Sequence, residues 1–146
     1  MIKYLALAAA LSISSAPAFA SPASNALAEI QATLGFVPQF IRQIPEPLLP
    51  GFWDELKSLE MNPNSALDGK TKELIGLAVA SQIPCDYCIY FHTRAAKANG
   101  ATDAQVAEAI GMASMTRAGS TILNGTQTDL AGFRHDVDRI FSKAKK

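Results

Sequence analysis

The stretch DGKTKELIGLAVASQIPCDYCIYFHTRAAKANGATDAQ, residues 68–105, carries the helix signals that decide the fold. Asp68 is a typical helix cap, and it predicts a helix over Gly69–Gln82 that Pro84 then brings to an end. A second helix is expected over Cys85–Asn99. The first of these helices is expected to be largely buried because it holds many apolar residues: Leu74, Ile75, Leu77, Ala78 and Val79.

Gly100 is placed to close the second helix, as glycine often does at a helix carboxyl end. Thr102 and Gln105 have the spacing of a capping box, which predicts a third helix to about Ala118. The order helix, proline break, helix, glycine turn and capped helix predicts an antiparallel helical hairpin. The two cysteines then lie at the amino terminus of one of its helices.

The rest of the chain is also expected to be helical. It has no sustained apolar–polar alternation, and Val, Ile and Thr do not cluster as they do in strands. The fold class is therefore predicted to be all-α. The expected elements are a helix capped by Ser24 and running to Leu34, a short helix around Phe40, a helix over Pro50–Leu59, a loop over Met61–Ala66, and a last helix over Thr128–Lys143.

The first twenty residues have the zones of a secretory signal. Lys3 supplies a positive start, Leu5–Ile13 is almost wholly apolar, and Ala18-Phe19-Ala20 has the form of a cleavage site. The apolar run is too short for a membrane anchor. We therefore expect cleavage after Ala20, export to the periplasm or the medium, and a single domain over residues 21–146.

The charge balance excludes some partners. Lys3 is the only charged residue in the first twenty, so the remaining chain carries 12 basic and 13 acidic residues. No basic stripe is present that could neutralise phosphates, and nucleic acid is not an expected partner. No second long apolar segment follows, so no membrane association is expected after signal cleavage.

Cys85 and Cys88 are the only cysteines of the chain. In an oxidising compartment they are expected to pair. A bridge between residues this close closes a very small loop and stabilises a fold only weakly, which favours a reactive pair over a structural one. A structural disulfide remains an open alternative.

His92 is expected to lie on the same helix face as the two cysteines. At 100° per residue the three side chains fall within a sector of about 60°. Cys85 lies near the helix amino terminus, where unpaired N–H groups and the helix dipole favour thiolate. His92 can hold or transfer a proton near neutral pH.

Glu73 lies in the preceding helix, where it could accept the thiol proton directly or through His92. Alternatively, it faces water beside Lys72.

A metal site made of Cys85, Cys88 and His92 is a further alternative, but a closed zinc site needs a fourth ligand. The other histidine, His135, belongs to a distant charged helix. No metal and no cofactor are expected.

The arrangement Glu73, eleven residues, Cys85, two residues, Cys88, three residues, His92 resembles the active-site signature of the AhpD-like alkylhydroperoxidases. These proteins form part of the carboxymuconolactone decarboxylase superfamily. The segment Leu34–Pro38 also resembles members of that group, and the likeness extends over residues 27 to 125.

The resemblance implies an all-α fold that assembles into homo-oligomers, commonly trimers or hexamers. It implies that Cys88 attacks the peroxide, that Cys85 resolves the product, and that Glu73 and His92 form a proton relay. The position of Cys85 near the helix amino terminus would instead favour Cys85 as the cysteine that attacks the peroxide. The implied activity is peroxiredoxin-type reduction of alkyl hydroperoxides or hydrogen peroxide, an antioxidant reaction.

Two further readings stay open. An exported copy would be separated from the cytoplasmic reductants of the family, so it would need an unidentified thiol or dithiol reductant or would act as a thiol–disulfide oxidoreductase. A non-catalytic helical oligomer with a structural bridge is the alternative from a different class. Lactone decarboxylation is disfavoured, because the decarboxylase branch generally lacks the dithiol.

Overall fold

A computed structural model describes residues 20–143, and in that range every regular element is an α-helix. The all-α prediction is confirmed there. Apart from Ala20, the predicted export signal lies outside the described residues. In chain order the described helices are α1 (Pro22–Leu34), α2 (Gln39–Arg42), α3 (Leu49–Leu59), α4 (Gly69–Gln82), α5 (Asp86–Ala98), α6 (Asp103–Gly125) and α7 (Leu130–Lys143).

The chain divides into two compact units, and the described part of the first ends at Leu56. Its core is a small apolar cluster: Ala23, Ala26, Ile30, Ile41, Leu49 and Trp53. The cap of α1 is Ser21, whose hydroxyl accepts the Ser24 N–H at 3.2 Å, so the expectation that Ser24 caps this helix is wrong. Pro22 explains the earlier start, because a proline fits the first helical turn, where its missing N–H is not needed.

The second unit begins at Lys57, and in it α4 packs against α5 and α6. Three contacts show that α4 and α5 run antiparallel: Gly69 lies against Asn99, Gly76 lies against His92, and the Cys85 N–H donates to the Ala80 carbonyl. The helical hairpin expected from the sequence is consistent with this packing. The prediction of one domain over residues 21–146 stays a prediction.

The bounds of α4 match those predicted, but its burial does not. Only one stripe of the helix is buried, and it consists of Glu73, Leu77 and Ala80. Ile75 and Val79 are 49% and 53% exposed, because they lie on faces that this stripe does not include. The expectation of a largely buried α4 is wrong at these two positions.

The helix α6 is longer than expected. It keeps the predicted capping box, in which Thr102 and Gln105 each accept a backbone N–H of the other, but it ends at Gly125 instead of about Ala118. Hydroxyls in its second half bond back to the preceding turn, as Thr121 does to the Arg117 carbonyl at 3.0 Å. Within residues 20–143, no helix combines the length and apolar character that crossing a membrane requires.

Candidate functional site

The two cysteines lie at the amino terminus of α5, where a disulfide joins them. Cys85 is the cap residue and has extended backbone geometry, while Cys88 lies in the first turn, with 5.3 Å between the two Cα atoms. The Cys85 sulfur also accepts the Cys88 N–H at 3.2 Å. The start of α5 therefore holds both sulfurs without interrupting the helix.

His92 lies one turn beyond Cys88 and contacts Glu73 of α4. The distance from His92 Nδ1 to Glu73 Oε2 is 2.8 Å. The Glu73 side chain is 7% exposed and that of His92 is 19% exposed, so the contact is largely shielded from water. With Glu73 ionised, its carboxylate accepts and Nδ1 donates, while the second ring nitrogen, Nε2, takes no part in this contact. Of the two predictions for Glu73, the contact with His92 is observed, whereas exposure to water beside Lys72 is not.

Gly76 makes this contact possible. A Cβ atom at this position would lie 2.5 Å from His92 Cε1 and 2.6 Å from His92 Nδ1. Any larger residue would displace the imidazole. The glycine in the middle of α4 thus weakens the helix slightly but provides the space that the ring occupies.

Glu60, which sequence reasoning did not identify, completes the cluster. Its side chain is hydrogen-bonded to Glu73. Burial raises the pKa of Glu60 to about 7, and the hydrogen bond and the charge of Glu73 act in the same direction, against smaller opposing effects of His92 and Lys72. No sequence signal distinguishes it, because Glu60 follows α3 in an irregular segment and lies outside the motif that contains the other four residues.

Lys72 fixes the backbone around Glu60. Its Nζ donates to the carbonyls of Leu59 at 2.8 Å and Glu60 at 3.3 Å, and it also binds Asn62 O and Ser65 Oγ. One ammonium group therefore ties the end of α3 and the following loop to the first turn of α4. We refer to this set of contacts as the Lys72 clasp.

A cleft of about 360 Å³ opens beside these residues. Cys88 and His92 both line it, as does Glu60, whereas Cys85 does not. Apart from Lys72, the remaining walls are apolar: Leu59, Leu67, Ile75, Gly76, Val79, Ala80 and Ile83. Of the two cysteines, Cys88 is therefore the one that borders this cleft.

The same three side chains offer a possible donor set for a cation. One carboxylate oxygen each from Glu60 and Glu73 and one nitrogen from His92 lie within 4.8 Å of one another. These groups already bond to each other, because Glu73 contacts both its neighbours. We therefore assign no metal to the cluster, and the site needs none to satisfy its polar atoms.

The fold and the site define a helical protein in which Cys88 and His92 line one cleft, with Cys85 bonded to Cys88 and the buried Glu73 bonded to His92. The model of the carboxymuconolactone decarboxylase family matches residues 47–127, more than half of the chain. The chain belongs to this family, as the Glu–Cys–Cys–His spacing predicted.

A solved structure supports the same assignment. The chain has the fold of the alkylhydroperoxidase AhpD core from Rhodospirillum rubrum, with a TM-score of 0.65, 31% identity, and coverage of 75% of this chain and 82% of that one. It is also 46% identical over 57 residues to uncharacterized protein 4 in the cox locus of Paracoccus denitrificans. That match spans 39% of this chain and about half, 51%, of the relative.

Proposed function

We propose that this chain is a thiol-dependent peroxidase that reduces organic hydroperoxides through Cys88 and Cys85. The observation that carries the proposal is that Cys88 and His92 line the same cleft, with His92 bonded to the buried Glu73. The likeness to the AhpD core supports it. The apolar walls of the cleft favour a substrate with a hydrocarbon substituent.

The reaction starts from the reduced dithiol. The relay of His92 and Glu73 takes the proton of Cys88, and the thiolate attacks the terminal oxygen of the hydroperoxide. The O–O bond breaks, Cys88 becomes a sulfenic acid, and the alkoxide takes the proton back from the relay and leaves as an alcohol.

The second step closes the cycle. Cys85 gives its proton to the relay and attacks the sulfenic sulfur, which forms the disulfide and releases hydroxide that the relay protonates to water. Two thiols and one hydroperoxide thus give one disulfide, one alcohol and one water. An external thiol or dithiol must then reduce the bridge by exchange, and its thiols are oxidised to a disulfide.

A redox titration tests the proposal. The reduced chain is titrated with tert-butyl hydroperoxide while free thiols are counted by alkylation and mass. We expect one equivalent consumed per dithiol, consumption abolished in Cys88→Ser, and arrest at the sulfenic acid in Cys85→Ser. If peroxide has no effect but a small disulfide exchanges rapidly, the protein is a thiol–disulfide oxidoreductase. If neither reacts, the bridge is structural and the proposal is wrong.

We also propose that the chain is exported, and the signal pattern that begins with Lys3 supports this proposal. When the full chain is expressed in a bacterial host with a periplasm, we expect periplasmic protein whose first residue is Ser21. Amino-terminal sequencing and cell fractionation measure this directly. A cytoplasmic protein that retains Met1 or Ile2 would contradict export.

A further inference from the structure

Glu60 occupies a position that the cysteine motif does not explain. It lines the apolar cleft together with Cys88 and His92, and it also lines a second, more polar depression of about 440 Å³. The walls of this second depression include Asn62, Ser65, Asp68 and Asn99. Glu60 thus borders both the cleft that Cys88 lines and a hydrophilic part of the surface.

The other members of the relay are less accessible. The Glu73 side chain is 7% exposed and already bonded to His92. A second group with better access to water would give this buried carboxylate a route for proton exchange. Glu60 is such a group, because it is hydrogen-bonded to Glu73 on one side and reaches the polar depression on the other.

We propose that Glu60 is the outer member of a three-residue relay, Glu60–Glu73–His92, and that it stores the proton returned to the leaving alkoxide and exchanges it with solvent. This role rests on the proposed peroxidase function. Glu60 acts through Glu73 and not on the reacting atoms, so it is a positioning residue and not a catalytic one. The Lys72 clasp holds its backbone in place for this task.

The groups that face Glu60 determine how the stored proton depends on pH. These groups are the Glu73 carboxyl, the His92 imidazole and the Lys72 ammonium. Since burial and Glu73 raise the pKa of Glu60 to about 7, its carboxyl is protonated below neutral pH and gives the proton up above it. Proton return should therefore weaken as the pH rises through 7.

The test separates proton return from thiol activation. For the reduced full chain, the single-turnover rate of thiol loss with tert-butyl hydroperoxide is measured from pH 5.5 to 8.5. The rate of thiol loss is then divided by the rate of alkylation by iodoacetamide, a reaction that needs a thiolate but no returned proton. For the unmodified chain we expect this ratio to fall about tenfold through pH 7, a modest part of what general acid catalysis provides.

Glu60→Gln removes the stored proton but keeps the shape of the side chain. Its ratio is expected to be independent of pH and, at pH 6, about tenfold below that of the unmodified chain. Glu108→Gln, which removes an exposed carboxylate of α6, is the matched control and should follow the unmodified chain. If the ratio for Glu60→Gln has the same pH dependence as that of the unmodified chain, the relay role is wrong.

A further variant excludes a merely structural effect. Glu60→Asp keeps an ionisable carboxyl, and its ratio should recover part of the pH dependence, whereas a ratio that stays flat would assign the loss to packing and overturn the proposal. An unmodified chain that forms thiolate but does not react with peroxide would instead overturn the proposed function itself, and this inference with it.

Discussion

The absence of a side chain at Gly76 determines the geometry of the site, because it leaves space for the His92 ring. A methyl group at this position would lie within 2.8 Å of three atoms of the His92 ring. The ring is the end of a flexible side chain, so it would rotate away and lose its contact with Glu73. Gly76→Ala is therefore expected to lower the rate of peroxide reduction at least tenfold while changing the free energy of unfolding by less than about 1 kcal/mol.

Gly111→Ala provides the matched comparison for that substitution. Gly111 lies in α6, and nothing lies within 4 Å of a Cβ added there. The change should stabilise the chain by about 0.5–1 kcal/mol through helix propensity and leave the reaction rate unchanged. Urea denaturation and single-turnover rates measure both variants; equal rates for the two would contradict the role given to Gly76.

Glu60 also makes stability depend on pH. The folded chain raises the pKa of Glu60 from 4.5 to about 7, so the folded state holds this proton more tightly than the unfolded state. The resulting stabilisation is complete below about pH 4.5 and is lost as the pH rises to about 7. Relative to Glu60→Gln, the unmodified chain should lose about 1 kcal/mol between pH 5 and 8, a figure reduced for the access of solvent to this side chain.

Urea denaturation of the two proteins at pH 5, 6, 7 and 8 checks this expectation. Glu108→Gln again serves as the control, and its stability should parallel that of the unmodified chain across the range. A difference between the unmodified chain and Glu60→Gln that stays constant with pH would contradict a pKa of Glu60 near neutrality.

Four of the five residues of the cluster could be identified from sequence, because they belong to one pattern within two consecutive helices. Glu73, Cys85, Cys88 and His92 meet through regular spacing and antiparallel packing. The position of Glu60 depends on a loop and on the tertiary contacts of Lys72, neither of which has a periodic signal. Which cysteine lines the cleft also depends on tertiary structure and could not be predicted from the sequence.

Among the helices, α6 depends on its amino-terminal cap. Thr102 accepts the Gln105 N–H at 3.1 Å, and Gln105 accepts the Thr102 N–H at 3.0 Å. Thr102→Ala removes one of these bonds and should lower the free energy of unfolding by about 1 kcal/mol. Thermal or urea denaturation measures the loss.

Ser114→Ala on the same helix is the contrasting variant. Ser114 is exposed in the helix interior, where alanine is the better helix former, so a small gain in stability of up to about 0.5 kcal/mol is expected. A loss equal to that of Thr102→Ala would show that α6 responds to any hydroxyl removal and not to its cap.

Helix ends were predictable where a cap or a breaker marks them and uncertain where neither does. Asp68 and Pro84 bracket α4, and its observed bounds match the expected ones. The helix α6 continues through Gly119 to Gly125, beyond the expected end at about Ala118. Backbone bonding outweighs the modest cost of a single glycine there.

At the scale of the whole molecule, a large amount of apolar surface remains exposed. In α7 the exposed apolar side chains form one stripe: Leu130, Phe133, Ile140 and Phe141, each 42–65% exposed. Such a surface is typical of an interface. We propose, in line with the expected homo-oligomer, that copies of this chain cover it.

Sedimentation of the full chain over a range of concentrations tests this proposal. A charge introduced by Phe141→Asp should weaken assembly by about 2 kcal/mol per contact, roughly thirtyfold in the dissociation constant. His135→Gln, an exposed position on the opposite side of α7, should have no effect. A chain that sediments as a monomer at all concentrations would contradict the proposal.

The Lys72 clasp has a consequence for engineering this protein. Three of the four acceptors that it binds are main-chain carbonyls, so the position of Glu60 does not depend on which side chains occupy most of the following loop. Asn64 and Pro63 are exposed there and accept nothing from Lys72. A reporter group or affinity handle attached at Asn64, between two residues that line the polar depression, would therefore leave the backbone of Glu60 in place.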